Sequence, residues 1–439
     1  MRKIKSCFLI CFMILILLPW LFFNFNVNVK SDVDNKFLQD LDWSQGNKLV
    51  MLSNYMADHI GFRDEAINTN ININANLFHV MEHPSYTFGK ANQIYPKLKY
   101  ESVDESFIIA YVKYLAEVQK YCQARNVPFI YMINPSKTTV YDENLPNGYD
   151  YTNRFMNTMI KYLKQYGVNY VNTEYELKEK KQEEQVYNTK YDVIHWNDTG
   201  AFYATNILLQ RVQSYFPKVR LNDKDDFDIS MKNQPYFGTT SYKINEDIVK
   251  YESKNRENIV SLVEQYPDLI TDKEHHQIQL YKNENGSGLP SVLMFEGSYY
   301  LGFNQFLTSR FHEFYGIHDY ENILNFDYYY NIFQPDCVII ESAEIATSRN
   351  YYDYNKLQQK VLNPVLNVNE HNIPLNSLNY RADFKGDLVE LTFDGLDDYA
   401  YNYVYTSGKA FDIVKMDEKM ICTMKAEYFD KDNAKVYQY

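Results

Sequence analysis

The sequence predicts an α/β domain on a parallel sheet, carried behind an apolar N-terminal segment and followed by a small β-rich region. Three observations predict it. Between about residues 102 and 341, helical periodicity alternates with short apolar runs rich in β-branched residues, the order of parallel α/β architecture. At the N-terminus, Arg2, Lys3 and Lys5 precede an uncharged run over 6–23. Beyond Gly386 the apolar residues alternate, as they do in half-buried strands.

The N-terminal run is at the short end of the roughly 17–25 residues that span a bilayer. Its basic flank predicts a cytoplasmic tip and an exported body. No small-x-small cleavage site follows it in Asn24-Phe25-Asn26-Val27, so the expectation is an uncleaved, single-pass signal anchor over 1–30. A polar tether then leads into a helix over 49–60, with Leu49, Leu52, Met56 and Ile60 on one face. A second helical stretch runs to Phe78, with a strand as the alternative over Asn68–Asn76. Gly89 to Tyr95 reads as a turn and a short strand.

The main domain is expected over 31–385. Ser102-Val103-Asp104-Glu105 reads as a capping box opening a helix to about Ala124. Val127–Ile133 is a buried strand closed by Asn134-Pro135. A helix follows from about Thr152 to Gln165, stopped by Gly167, and Val168–Val171 is the next strand. The charged stretch 173–190 reads as a solvated helix or loop. Asn197 or Asp198 caps a helix to about Ser214. Residues 216–290 are polar and weakly periodic, and read as an insertion or lid with one helix near 256–265. Strands are expected at Ser291–Phe295 and Asp336–Glu341, with a helix at about Asn304–Phe314 between them. Residues 386–439 form the small β region.

Composition narrows the function. The 439 residues carry a formal charge of -13 and no basic stripe, which disfavours nucleic acid as a partner. The five cysteines include no C-x-x-C pair, and neither a zinc pattern nor a disulfide framework is readable. No metal cluster or phosphate loop is present in the sequence, so no cofactor is expected. The 42 Tyr and 27 Phe suit a large core or a carbohydrate-facing surface.

The chemistry concentrates in Tyr191-Asp192-Val193-Ile194-His195-Trp196-Asn197-Asp198-Thr199-Gly200. A serine hydroxyl is inert at neutral pH until a base takes its proton and a third group orients that base. Asp192 and His195, three apart at the mouth of a helix, suit the last two roles. Ser298 suits the first. It follows Gly297 at the end of a buried strand, the carboxyl edge where α/β enzymes place their chemistry. Backbone N–H groups after the serine, with Tyr299 and Asn304, are candidate oxyanion or substrate contacts. Each half alone is a common pattern; their combination behind an export signal carries the reading.

At this point the residues resemble a family. Asp192-x-x-His195-Trp196-Asn197-x-x-Gly200-Ala201 is similar to the Asp/His block of SGNH hydrolases, in the alginate O-acetyltransferase type and its Asp-His-His-Trp relatives. Four other stretches follow the same order: Tyr55 to Asp64 with Gly61-Phe62-Arg63-Asp64, Gly89 to Tyr95, Ile133-Asn134-Pro135-Ser136-Lys137 to Pro146, and Val292 to Ser298. The last has Glu296-Gly297 where the family carries Gly-Asp. The resemblance implies a flavodoxin-like, circularly permuted α/β domain with Ser298 as nucleophile, His195 as base and Asp192 as orienting acid. Lys137 and Trp196 match family positions and join the candidate substrate contacts. It further implies an envelope or exported polysaccharide as acceptor and a multi-pass membrane acyl-donor protein as partner. The expected activity is O-acetyl transfer; a glycan acetylesterase and a non-catalytic polysaccharide-binding protein of the same fold are the alternatives.

Overall fold

The computed structural model describes all residues except 1, 32–35, 42–47, 83–84, 98–102, 150–151, 237–242, 268, 270–277, 364–365, 367–371, 397–398 and 417–418. The expected capping residue Ser102 lies outside the described residues. Asp104 caps that helix instead, its side chain accepting from the Phe107 N–H at 3.0 Å.

A seven-stranded sheet forms the centre. In chain order its strands are β1 (Phe129–Asn134), β2 (Tyr170–Asn172), β3 (Ile259–Ser261), β4 (Ile278–Asn283), β5 (Val292–Glu296), β6 (Glu313–His318) and β7 (Cys337–Ala343). They lie in the order β2-β1-β7-β5-β6-β4-β3. The pairs from β2 to β6 are parallel, and β4 and β3 close one edge antiparallel. The sheet is therefore mixed rather than purely parallel. Counted from β5 and wrapped round to β2, the parallel strands follow the flavodoxin-like order 2-1-3-4-5. In that order β5 and β7 flank the topological switch point, where the crevice outside the strand ends is the usual ligand site. Every residue of β1, β5 and β7 is buried, as expected for strands covered by helices on both faces.

Helices Glu105–Ala124, Arg154–Gln165 and Asp198–Gln213 pack on this sheet and share one core with it. Met156, Met159 and Leu163 recur at helical spacing on the buried face of the second. The stretch Asn68–Asn76 is not a strand: helix Arg63–Ile73 runs into a π-helical turn over Asn74–Phe78.

Three expected elements differ. Asn304–Phe314 is not a helix but two 3-10 turns, Asn304–Phe306 and Thr308–Arg310, leading into β6. Its aromatic residues fill the core rather than one helical face. No helix forms near 256–265, which holds two 3-10 turns around β3. The 216–290 stretch instead contributes a long hairpin, Phe227–Tyr236 with Lys243–Ser253, and the two antiparallel edge strands. The hairpin strand from Phe227 does alternate, but its Ile229 and Met231 are exposed. Sequence reading also passed over β6 and the buried helix Phe326–Phe333.

The N-terminal helix spans Arg2–Leu21. Among the described residues no helix is long and apolar enough to cross a membrane. The chain leaving it is held against the next helices: the Gly61 N–H donates to the Pro19 carbonyl at 3.0 Å, and the Phe22 and Phe62 rings lie 4.8 Å apart.

The C-terminal strands form two four-stranded antiparallel sheets around their own core of Val389, Leu391, Val404, Phe411 and Met424. The first strand, Asn372–Pro374, lies before the expected boundary at 386. A buried polar joint locks this unit to the α/β body. Asp412 pairs with Arg125 at 3.2 Å, both side chains at least nine-tenths buried. The Asn331 amide also bonds both the carbonyl and the N–H of Asp412. Asp412→Ala leaves a buried guanidinium without its counter-charge, so it is expected to lower unfolding stability by about 3–5 kcal/mol. A chemical-denaturation midpoint unchanged from wild type would contradict that joint.

Candidate active site

The Asp/His block occupies the loop 185–197 that feeds helix Asp198–Gln213. Asn197 caps this helix, its side chain accepting from the Gly200 N–H at 2.9 Å. Gly200 is needed for close approach: a Cβ there would come within 2.2 Å of the Val186 carbonyl oxygen. Asp192 sits in the left-handed region at φ +40, a costly conformation for a non-glycine residue. It aims both carboxylate oxygens at His195 Nδ1, each at 3.0 Å. The backbone N–H of His195 also donates to Asp192, at 3.2 Å. Burial raises the Asp192 carboxyl, but the hydrogen bonds and charge of His195, with the Ile194 N–H, outweigh it and hold the group below its ordinary value. A carboxylate on Nδ1 fixes the proton of a neutral imidazole there and leaves Nε2 as the base.

Two charged residues clamp the loop from opposite sides. The buried Lys137 amine donates to the carbonyls of Ile94, Asn188 and Thr189 at 2.9, 2.8 and 2.7 Å. Burial pushes that amine down to about 7, against the attraction of Glu246 and Asp192. From the hairpin, the Glu246 carboxylate accepts the successive N–H groups of Thr189, Lys190 and Tyr191 at 2.5, 2.8 and 2.6 Å. The hairpin also holds the helix start, where Lys250 and the Tyr251 N–H bond Asp198. The 216–290 insertion thus buttresses the Asp/His loop.

Ser298 lies in the turn directly after β5, at the carboxyl edge of the sheet and beside the switch point. It is half-buried, with its hydroxyl facing that of Tyr320. The two blocks meet through Tyr299 and Trp196. The Trp196 indole N–H donates to the Tyr299 carbonyl at 2.9 Å. The Tyr299 hydroxyl donates to the Ile194 carbonyl at 2.7 Å. The His195 ring meets the Tyr299 ring edge-on, 5.4 Å between centroids. The base and the turn carrying the serine are therefore fastened together.

Several expected contacts take other roles. Lys137 is no substrate contact, because its three donors are engaged by backbone carbonyls under the Asp/His loop. Tyr299 and Trp196 are fully buried and act as ties between the blocks rather than as a substrate surface. The Asn304 amide donates to Gln279 of β4, which occupies the group proposed for an oxyanion. Arg63 pairs with Asp64 at 2.6 Å, in the N-terminal helical region.

Behind Ser298 lies a feature that motif reading passed over. Glu296, Asp319 and Glu341 are all fully buried. Burial, then the carboxyls of Glu341 and Asp319, push Glu296 well above the ordinary value, and neither of its carboxyl oxygens has a hydrogen-bond partner. Burial and Asp319 push Glu341 up to about 8, against hydrogen bonds from Asn134 and Gly297. A glutamate closing an apolar strand run was the available signal for Glu341. Among the described residues no group of His, Cys, Asp or Glu is arranged to hold a metal ion.

Residues 89–261 match the family model of the SGNH hydrolase-like domain of acetyltransferase AlgX. That stretch is similar to the SGNH hydrolase-like domain of the AlgX type. The match includes Lys137, Asp192, His195 and Trp196 and ends before Ser298, so it covers the base half of the site. No curated protein matches the sequence. Among solved structures the chain is similar to PatB1 of Bacillus cereus, with 13% identity over 59% of this chain and 96% of that one, at a TM-score of 0.45. It is similar to the O-acetyltransferase domain of Pseudomonas putida AlgJ, with 15% identity over 64% and 100%, at 0.45. It is also similar to AlgX of Pseudomonas aeruginosa, with 12% identity over 80% and 86%, at 0.40. At these scores the likenesses add nothing to the reading of the site.

Proposed function

We propose that the protein is a serine O-acetyltransferase whose acceptor is a hydroxyl of a cell-envelope or exported polysaccharide. The observation that carries this is the Asp192–His195 pair fastened through Tyr299 to the turn bearing Ser298. The AlgX-type domain match supports the acyl group and the acceptor class. In this mechanism Ser298 Oγ attacks the acetyl carbonyl while His195 Nε2 takes its proton. Asp192 holds the imidazole by Nδ1 and stabilises the imidazolium that forms. The leaving group departs with that proton, and the acetyl ester remains on Ser298. His195 then takes the proton of a sugar hydroxyl, whose oxygen attacks the ester; the bond to Ser298 Oγ breaks, and His195 returns the proton to the departing serine oxygen.

The apolar, basic-flanked N-terminus supports tethering of this domain at the outer face of the cell membrane, beside a multi-pass membrane protein that supplies the acyl group. Acceptor choice is tested on the full-length protein with p-nitrophenyl acetate, with and without an oligosaccharide. The expected result is O-acetylated sugar with faster release of p-nitrophenol. Release that ignores the sugar, with acetate as sole product, would make the protein an esterase.

A further inference from the structure

The turn that carries Ser298 lacks the side chain expected immediately before the serine. Gly297 stands there, and the reason is spatial. A Cβ on Gly297 would come within 3.2 Å of Glu341 Oε2 and 3.8 Å of Asp319 Oδ2. The space a side chain at 297 would enter is already occupied by a carboxylate from the neighbouring strand. β5 and β7 are parallel, with Phe295 opposite Ile340, so Glu341 comes level with the end of β5. Its Oε2 accepts the Gly297 N–H at 2.8 Å, and its Oε1 accepts the Asn134 amide at 2.6 Å. Asn134 in turn accepts the Thr173 hydroxyl at 3.0 Å. A chain of buried hydrogen bonds thus runs across the ends of four parallel strands, β2, β1, β7 and β5, and ends on the peptide next to Ser298. Backbone hydrogen bonds of this kind fix a turn only while the acceptor is itself held, and here both carboxylate oxygens are.

We infer that Glu341 is the positioning residue of the nucleophile turn: through Gly297 it sets where Ser298 Oγ stands relative to His195. The inference rests on the acyl-transfer reading above. A buried carboxyl there is a poor way to stabilise the fold. It lies beside two other buried carboxyls, Glu296 and Asp319, and burying a polar group costs free energy that an apolar residue of similar volume would not. Its value lies in geometry, since a displacement of about 1 Å at a nucleophile costs on the order of 10²-fold in rate.

The test compares Glu341→Leu and Glu341→Gln in the full-length protein, with p-nitrophenyl acetate as the probe and thermal unfolding as the control. Gln keeps an acceptor for the Gly297 N–H, and Asn134 can turn its amide to match; Leu keeps volume and offers no acceptor. The expected result is about a 10²-fold loss of kcat for Glu341→Leu, with KM little changed, and recovery to within about fivefold in Glu341→Gln. Wild-type kcat in a folded Glu341→Leu overturns the inference, and so does an equal loss in both folded variants. Should Glu341→Leu not fold, Asn134→Ala decides, because it frees Oε1 and loosens the acceptor: kcat is expected to fall, and an unchanged kcat overturns the role. Ser298→Ala, assayed in parallel, separates the two claims. If it retains activity, the acyl-transfer reading fails; if it is inactive while Glu341→Leu is not, only the role of Glu341 fails.

Discussion

Ser298→Ala is expected to lower kcat for acetyl transfer by at least about 10⁴-fold, because removal of the nucleophile closes the covalent route and leaves only binding and oxyanion stabilisation. The fold should be indifferent to it. Ser298 is half-buried, so loss of one oxygen removes little packing. Thermal unfolding of the variant should overlay that of the wild type. The kinetic loss should appear equally in transfer to sugar and in hydrolysis of an aryl acetate, since both pass through the same serine ester.

Asp192→Asn is the second large effect. The carboxylate has both oxygens on His195 Nδ1, and an amide in its place offers that nitrogen a donor as well as an acceptor. The imidazole can then hold its proton on Nε2, the wrong tautomer for a base, and the imidazolium loses its counter-charge. The expected loss is about 10³–10⁴-fold in kcat with little change in KM. The Glu246 and Lys137 clamps still hold the loop, so the loss is chemical and not a loss of order. An activity within threefold of wild type in the folded variant would remove Asp192 from the mechanism.

Much of this site was legible in the sequence because its parts are local. Asp192, His195 and the capping Asn197 fall within six residues of one another, and Ser298 follows an apolar strand ended by glycine. The parallel strands other than β6 declared themselves by short apolar runs, since strands covered on both faces carry little else. What stayed hidden depends on distant pairings. Glu246 clamps the Asp/His loop across 57 residues and nothing in its neighbours marks it, while Lys137, singled out with the Asn134-Pro135-Ser136 stretch as a substrate contact, gave no sign of holding that loop across 52 residues. Glu341 reaches Gly297 from the adjacent strand; only the register of β5 against β7 brings them together. The hairpin 227–253 lies in a stretch rich in Asp, Lys and Asn, and the alternation of Phe227, Ile229 and Met231 within it is short. The helix expected at 304–314 failed because aromatic residues there pack in several directions around 3-10 turns. The unusual Glu296-Gly297 pair, a departure from the family in sequence, has a physical account once Glu341 is seen to fill the space a side chain at 297 would need.

The central claim is that Ser298 carries the acetyl group between donor and acceptor. The direct measurement is intact-protein and peptide mass spectrometry after brief exposure of the full-length protein to p-nitrophenyl acetate without acceptor, with quenching in acid. The account predicts one added acetyl group, located on the peptide containing Ser298, absent in Ser298→Ala and lost when oligosaccharide is added before the quench. An acetyl group found only on other residues, or no serine ester while acetylated sugar accumulates, would contradict it.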